Sequence, residues 1–105
     1  MEELKDPLDI FVFLQNTLDR NIERALKIDN SQDESREYER AKEIDDLIPD
    51  EKFIRYHVYN LVRAKLRKYA RVLVERYNYL CQFTKDTATI SSRLTTKRQP
   101  IELLQ

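Results

Sequence analysis

The sequence predicts a small all-α protein, a bundle of two shorter helices and one long helix from about residue 50 to 82, with a weakly structured C-terminal tail. Three observations carry this prediction. Apolar residues recur at three- and four-residue steps along most of the chain. The 105 residues include no glycine, which removes the favoured residue of tight β-hairpins. Charged residues make up 36 % of the chain and hydrophobic residues 41 %, a balance typical of helices with one wet and one dry face.

The first helix is predicted to begin at Asp6 and Pro7. An aspartate can cap the unpaired backbone N–H groups, and proline suits the first turn because the N–H group that it lacks would have no helical partner there. Ile10, Val12 and Phe13 widen the apolar surface of the first half, which we expect to be deeply buried or docked on another subunit. The main apolar stripe consists of Phe11, Leu14, Leu18, Ile22, Ala25 and Ile28.

The second helix is predicted from about Asp33 to Leu47, after an almost wholly polar connection. Its apolar stripe is thin, so it should be short and partly exposed. Pro49 should end it, because the residue before a proline avoids the α region. Carboxylates are plentiful here, but neither a calcium loop nor carboxylate–histidine pairs accompany them. We therefore predict no metal and no cofactor.

The third helix is predicted to run without interruption from about residue 50 to 82, with Asp50 as its cap. At 1.5 Å per residue it would measure ~50 Å, longer than a compact domain of this size needs. Part of its apolar stripe is therefore expected to face a partner protein. The predicted interface residues, two of them on the first helix, are Phe11, Phe13, Ile54, Val58, Leu61, Leu66, Leu73 and Leu80.

The composition changes after residue 82. Seven serine and threonine residues lie between Thr84 and Thr96, and their hydroxyl groups compete with the helix backbone for hydrogen bonds. We predict a helical domain over residues 1–83 and a hydroxyl-rich tail or an extra short helix over residues 84–105. The apolar end after Pro100 could dock on this domain, dock on a neighbour, or belong to a linker.

Charge divides the chain into unlike halves, although the formal net charge is zero. Residues 1–50 hold fifteen acidic and seven basic residues, whereas residues 51–105 hold four acidic and twelve basic ones. The halves could pair with each other, or the basic half could meet an acidic partner. Basic residues interleaved with tyrosines also suit phosphate contact and base stacking. The residues assigned to a nucleic-acid or acidic-partner contact are Arg63, Lys65, Arg67, Lys68 and Arg71.

The residue inventory favours a protein that is not an enzyme. Without glycine there is no phosphate-cradling loop, dinucleotide fingerprint or nucleophile elbow. His57 is the sole histidine, and Cys81, the sole cysteine, cannot form an intramolecular disulfide. The longest apolar run covers five residues, far below the ~20 that cross a bilayer. We expect a reducing intracellular compartment and no membrane association, and the nucleus if the source is eukaryotic.

A resemblance to a known family rests mainly on residues 46–80. The matching runs are Asp46-Leu47-Ile48-Pro49, Lys52-Phe53, Arg55 and Asn60-Leu61-Val62-Arg63, followed by a basic, tyrosine-bearing continuation, with Leu18-Asp19-Arg20-Asn21-Ile22-Glu23-Arg24 before them. Over about residues 8–80 the chain resembles the helical domain of GINS subunits. The likeness is strongest to the Psf-one and Sld-five pair.

This resemblance implies a subunit of a heterotetramer, or of an archaeal equivalent, that joins the replicative helicase to an associated factor and activates DNA unwinding. Those subunits add further helix and a small β-rich domain, for which residues 81–105 leave no room. A helical-domain fragment, a divergent reduced member and a chance similarity are the interpretations that stay open. Two other functions compete with an assembly subunit: direct nucleic-acid binding through the basic helix, and a homo-oligomeric scaffold.

Overall fold

The computed structural model describes residues 6–31, 34–83 and 98–103. These residues are mostly helical and contain no strand, which confirms the all-α prediction. The helices are α1 (Pro7–Asp29), α2 (Glu37–Asp46), α3 (Glu51–Arg63) and α4 (Arg67–Gln82), with a short 3-10 turn (Glu34–Arg36) ahead of α2.

Two helices begin where the sequence predicts. The Asp6 carboxylate accepts a hydrogen bond of 2.9 Å from the Leu8 N–H group at the start of α1, with Pro7 in the first turn. The Asp50 carboxylate accepts one of 2.7 Å from the Lys52 N–H group at the start of α3. Both caps satisfy backbone donors that the helix itself leaves unpaired.

The predicted uninterrupted helix over residues 50–82 is wrong in one respect, because a turn centred on Lys65 divides it into α3 and α4. Lys65 adopts a φ of 63°, in the left-handed region. Its N–H group donates to the Val62 carbonyl at 2.9 Å, and the Leu66 N–H group donates to the Leu61 carbonyl at 2.8 Å. These two bonds form the pattern by which many helices end on a left-handed residue.

The turn is favoured because the free energy gained by burying apolar side chains exceeds the steric cost of the left-handed conformation at Lys65. In a chain without glycine, Lys65 takes the conformation that glycine usually provides, at a cost of roughly 1–2 kcal/mol. Packing α4 against α3 encloses several large apolar side chains, each worth roughly 1.5–3 kcal/mol. Periodicity could not reveal the turn, since the apolar phase continues through it.

The core lies where α1 packs against α3 and α4. At the start of α1 and α4 the rings of Phe11 and Tyr69 meet edge to face, with 5.0 Å between centroids. The largest fully enclosed side chains are Tyr77, Leu18, Ile54, Leu61, Leu73 and Leu80. The expected long, partner-facing stripe is therefore part of this chain's own core.

We call residues 98–103 the C-terminal strap. It lies on the helical domain, with Ile101 buried in the same core cluster as the end of α4. Of the predicted hydroxyl-rich tail, residues 84–97 and 104–105 lie outside the described residues. Docking on this domain, one of the three outcomes open for the apolar end, is the arrangement found for the strap.

Candidate functional site

The structure separates the predicted interface residues into three groups. Most of them are enclosed by this chain: Phe11, Ile54, Val58, Leu61, Leu73 and Leu80. Leu66 is half-buried at the turn, where it packs against the core. Phe13 is exposed over 64 % of its surface. The predicted interface is corrected because the turn at Lys65 folds α4 back against α3. The two halves of the apolar stripe therefore bury each other.

The exposed aromatic residues of α3 form a surface that the sequence analysis did not assign to an interface. Phe53, Tyr56 and Tyr59 recur at three-residue steps on the helix face opposite the buried Ile54 and Val58. Tyr56 is 62 % exposed and Tyr59 is 59 % exposed. We call these three residues the α3 aromatic face. The signal in the sequence was their shared helical phase, which tyrosine's ambiguous polarity obscured.

An open groove of about 440 Å³ runs between the first turns of α1 and the second half of α3. Its walls carry both apolar and polar groups, among them Pro7, Ile10, Phe11, Tyr56, Asn60 and Arg63. Tyr56, which lines the groove, also belongs to the α3 aromatic face. The groove and the aromatic face form a continuous exposed surface.

His57, the sole histidine, lies half-buried on the same helix and lines this groove. Its ring meets the rings of Phe53 and Tyr56 edge to face, at centroid distances of 4.5 Å and 5.2 Å. Burial lowers the pKa of His57 below its ordinary value, which favours the neutral ring. The arrangement makes it a packing residue between two aromatic rings.

Five basic residues cluster at the α3–α4 turn, and they are the ones that the sequence assigns to nucleic acid or an acidic partner. Arg63, Lys65, Arg67, Lys68 and Arg71 are all exposed. Within the described part of the chain none of them has an ion pair. The Arg63 guanidinium lies 5.7 Å from the Tyr59 ring centroid, which joins this cationic turn to the α3 aromatic face.

Pairing between the acidic and basic halves of the chain is limited to two contacts among the described residues. Arg76 on α4 binds Asp19 on α1, with 2.5 Å between Nε and Oδ1. Arg98 on the strap binds Asp45 on α2, with 2.5 Å between Nη1 and Oδ1. Among the described residues, the acidic half therefore forms no ion pair with the cationic turn.

At the end of α4 away from the turn, the buried Tyr77 and Cys81 lie near the partly buried Asp45, Glu51 and Arg98, a grouping that sequence reasoning missed. Burial raises the pKa of Tyr77 and of Cys81, whose hydroxyl and thiol lie beside each other. Burial also raises the pKa of the Asp45 carboxyl, more than neighbouring Arg98 lowers it. A hydrogen bond from Arg55, followed by one from the Gln99 N–H group, lowers the pKa of Glu51.

The described residues contain neither a cluster of metal ligands nor a membrane-spanning helix. No group of three or more histidine, cysteine, aspartate or glutamate side chains converges as a metal site would. No helix in those ranges combines the length and apolar character that a membrane span requires.

Comparison of the chain with known protein families, with curated proteins and with solved structures finds no significant match. The residues and their geometry are therefore the basis for a functional proposal.

Proposed function

We propose that this chain is a non-catalytic helical subunit of a larger assembly, similar to a GINS component that supports the replicative DNA helicase. The observation that supports the assembly role is the α3 aromatic face with its adjoining groove. Tyrosine and phenylalanine are enriched in protein interfaces, where they bury a large area at a small entropic cost. In this fold they stay exposed although the core beneath them is closed.

A partner for this surface should be another helical protein. An open groove between two helices, such as the one between α1 and α3, is the kind of surface that receives the apolar side of an amphipathic helix. Phe13 is a further exposed apolar residue of α1. Asn60 and Arg63 at the groove supply polar contacts that can fix the orientation of a bound helix. The GINS resemblance supports the same kind of partner, since that family assembles through helical subunits.

Affinity capture from the source cells tests the assembly role. We expect the tagged chain to retain replication-fork proteins, and the double substitution Phe53→Ser with Tyr56→Ser to lose them. Tyr79→Ser is the matched control, because Tyr79 is an exposed aromatic residue on α4. Equal recovery of partners by the wild type and the double variant would contradict an interface on α3. A concentration-dependent homodimer in sedimentation would instead favour the scaffold alternative.

Direct binding of single-stranded nucleic acid is a second candidate, and the cationic turn favours it. Five exposed cations that form no ion pair with a described residue, one of them Arg63 over the Tyr59 ring, combine the charge that contacts phosphates with a ring on which a base can stack. Contact with five phosphates predicts that affinity falls about a hundredfold as salt rises from ~50 to ~200 mM.

Fluorescence anisotropy with a labelled 20-nucleotide single strand measures this dependence. We expect the pair Arg67→Glu and Lys68→Glu to reduce the salt slope by about 1.4. The pair Arg24→Glu and Lys27→Glu on α1 is the control, since it changes net charge equally away from the turn. Binding by the wild type that is insensitive to salt, or equal losses in both variants, would eliminate this candidate.

A further inference from the structure

A side chain of α4 holds the C-terminal strap through hydrogen bonds to the strap's backbone. The Asn78 Nδ2 group on α4 donates to the Ile101 carbonyl at 2.8 Å, and the Ile101 N–H group donates to Asn78 Oδ1 at 2.8 Å. A single side chain thus satisfies both polar groups of one strap residue, much as a neighbouring strand would. Between these contacts the Ile101 side chain enters the core.

A second anchor lies three residues earlier, at Arg98. Its Nε group donates to the Pro49 carbonyl at 3.0 Å while its Nη1 group binds Asp45. The Arg98 and Asp45 side chains are each only 13 % exposed. Next to this anchor the Gln99 N–H group donates to the Glu51 carboxylate at 3.2 Å. The two acceptors of Arg98 belong to α2 and to the α2–α3 connection, and the acceptor of Gln99 belongs to α3, so three elements contact this part of the strap.

The two strap residues between the anchors contribute no buried side chain, since Gln99 and Pro100 are exposed. Specificity therefore rests on an arginine and, three residues later, an aliphatic side chain. We infer that the groove formed by α4 and the α2–α3 connection is a recognition site for an extended Arg-X-X-aliphatic segment. The strap of the same chain is its ligand, bound in cis and reversibly.

Reversible binding follows from how little the strap buries. Ile101 is its one buried side chain, Leu103 packs beside it only partly buried, and one ion pair and a few hydrogen bonds hold the rest. By contrast, α1, α3 and α4 each contribute three or more enclosed side chains to the core. Segments with few buried apolar contacts open at a lower free energy than the global unfolding of a domain. The strap should therefore leave its groove while the helices stay folded.

Release of the strap would change the surface at the end of α4. Cys81 is buried there, and the positive charge of Arg98 lies close enough to lower its pKa against the larger effect of burial. Without the strap we expect the Cys81 thiol to become accessible and Asp45 to lose its ion-pair partner. An Arg-X-X-aliphatic peptide could then occupy the vacated groove.

The rate at which Cys81 reacts with a thiol reagent reports this release in the full chain. We expect Ile101→Asp to raise the rate at least tenfold and Arg98→Ala to raise it less. Glu102→Gln is the control, because Glu102 is an exposed strap residue outside the anchors. Equal rates in the wild type, Ile101→Asp and Arg98→Ala would overturn the inference.

A synthetic peptide with the sequence of residues 97–105 separates strap release from unfolding. We expect it to bind the Ile101→Asp variant and to restore the slow Cys81 reaction, which an unfolded variant could not show. The same peptide carrying aspartate at the Ile101 position should do neither. The inference would be overturned if the unaltered peptide failed to slow the Cys81 reaction in both the Ile101→Asp and the Arg98→Ala variants. A wild-type dimer in sedimentation that the Ile101→Asp substitution dissociates would place the strap on a second copy, and so would contradict binding in cis.

Discussion

Positively charged side chains at the two ends of the α3–α4 helix pair differ in their exposure and in their ion pairing. At the turn, Arg67, Lys68 and their basic neighbours are exposed and have no ion pair among the described residues. At the other end, Arg98 is almost enclosed and binds Asp45. A charge removed from water must be paired, whereas an exposed charge stays solvated without a partner. The difference indicates that the Arg98 charge contributes to the packing of the strap, whereas the charges of the turn form no ion pair within the described part of the chain.

The largest effect that this comparison predicts is the loss of the enclosed cation. Replacing Arg98 with methionine leaves Asp45 buried without its partner, and we expect the free energy of unfolding to fall by about 2 kcal/mol. Gln99→Ala is the control, because its contact to Glu51 uses only the backbone. Urea denaturation monitored by circular dichroism measures both. A loss below ~0.5 kcal/mol for Arg98→Met would mean that the strap end is no more structural than the turn.

The same substitution has a pH dependence with a defined sign. Burial already raises the pKa of Asp45, and loss of Arg98, which lowers that pKa, would raise it further. A protonated Asp45 needs no cation, so the destabilisation should shrink as pH falls through the pKa of the Asp45 carboxyl and be full at neutral pH. Denaturation of both proteins at pH 4 and pH 7 measures this. A cost that is constant with pH would show that Asp45 is not the group that Arg98 stabilises.

A smaller effect, of opposite sign, is expected at the turn. Replacing Lys65 with glycine should raise the free energy of unfolding by about 1 kcal/mol, because glycine adopts the left-handed conformation without the steric cost. Lys65→Ala removes the same side chain beyond Cβ and is the matched control, with little change expected. In an uninterrupted helix the glycine would instead destabilise by up to ~1 kcal/mol. The sign of the change in urea midpoint therefore distinguishes the two structures.

The smallest effect should come from the exposed cations themselves. Replacing Arg67 and Lys68 with glutamine removes charges that pair with no described residue, so the free energy of unfolding should change by less than ~0.5 kcal/mol. The comparison with Arg98→Met, made in the same buffer, sharpens the contrast between the two ends. A loss comparable with that of Arg98→Met would show that the turn charges also stabilise the fold.

Local signals in the sequence predicted the helices well, and nonlocal ones were missing. Asp6 and Asp50 mark helix starts because capping depends on a few adjacent residues. The turn at Lys65 depends on α4 packing against α3, and no nearby glycine or proline in the sequence indicates it. Arg98 finds Asp45 across 53 positions, through a segment without periodicity. The five basic residues lie together at the turn, and only the fold shows that they form no ion pair with a described residue.

The central claim is that the chain turns back at Lys65, because both ends of the comparison exist only if α3 and α4 pack side by side. The distance between two spin labels tests this most directly. The labels are attached to cysteines that replace Lys52 and Gln82, in a chain that also carries Cys81→Ser. Both positions are exposed. Packed helices lie 8–10 Å apart, so we expect a distance of no more than about 30 Å after allowing for the label arms. A distribution centred near ~45 Å, the rise of an uninterrupted helix over this interval, would contradict the account.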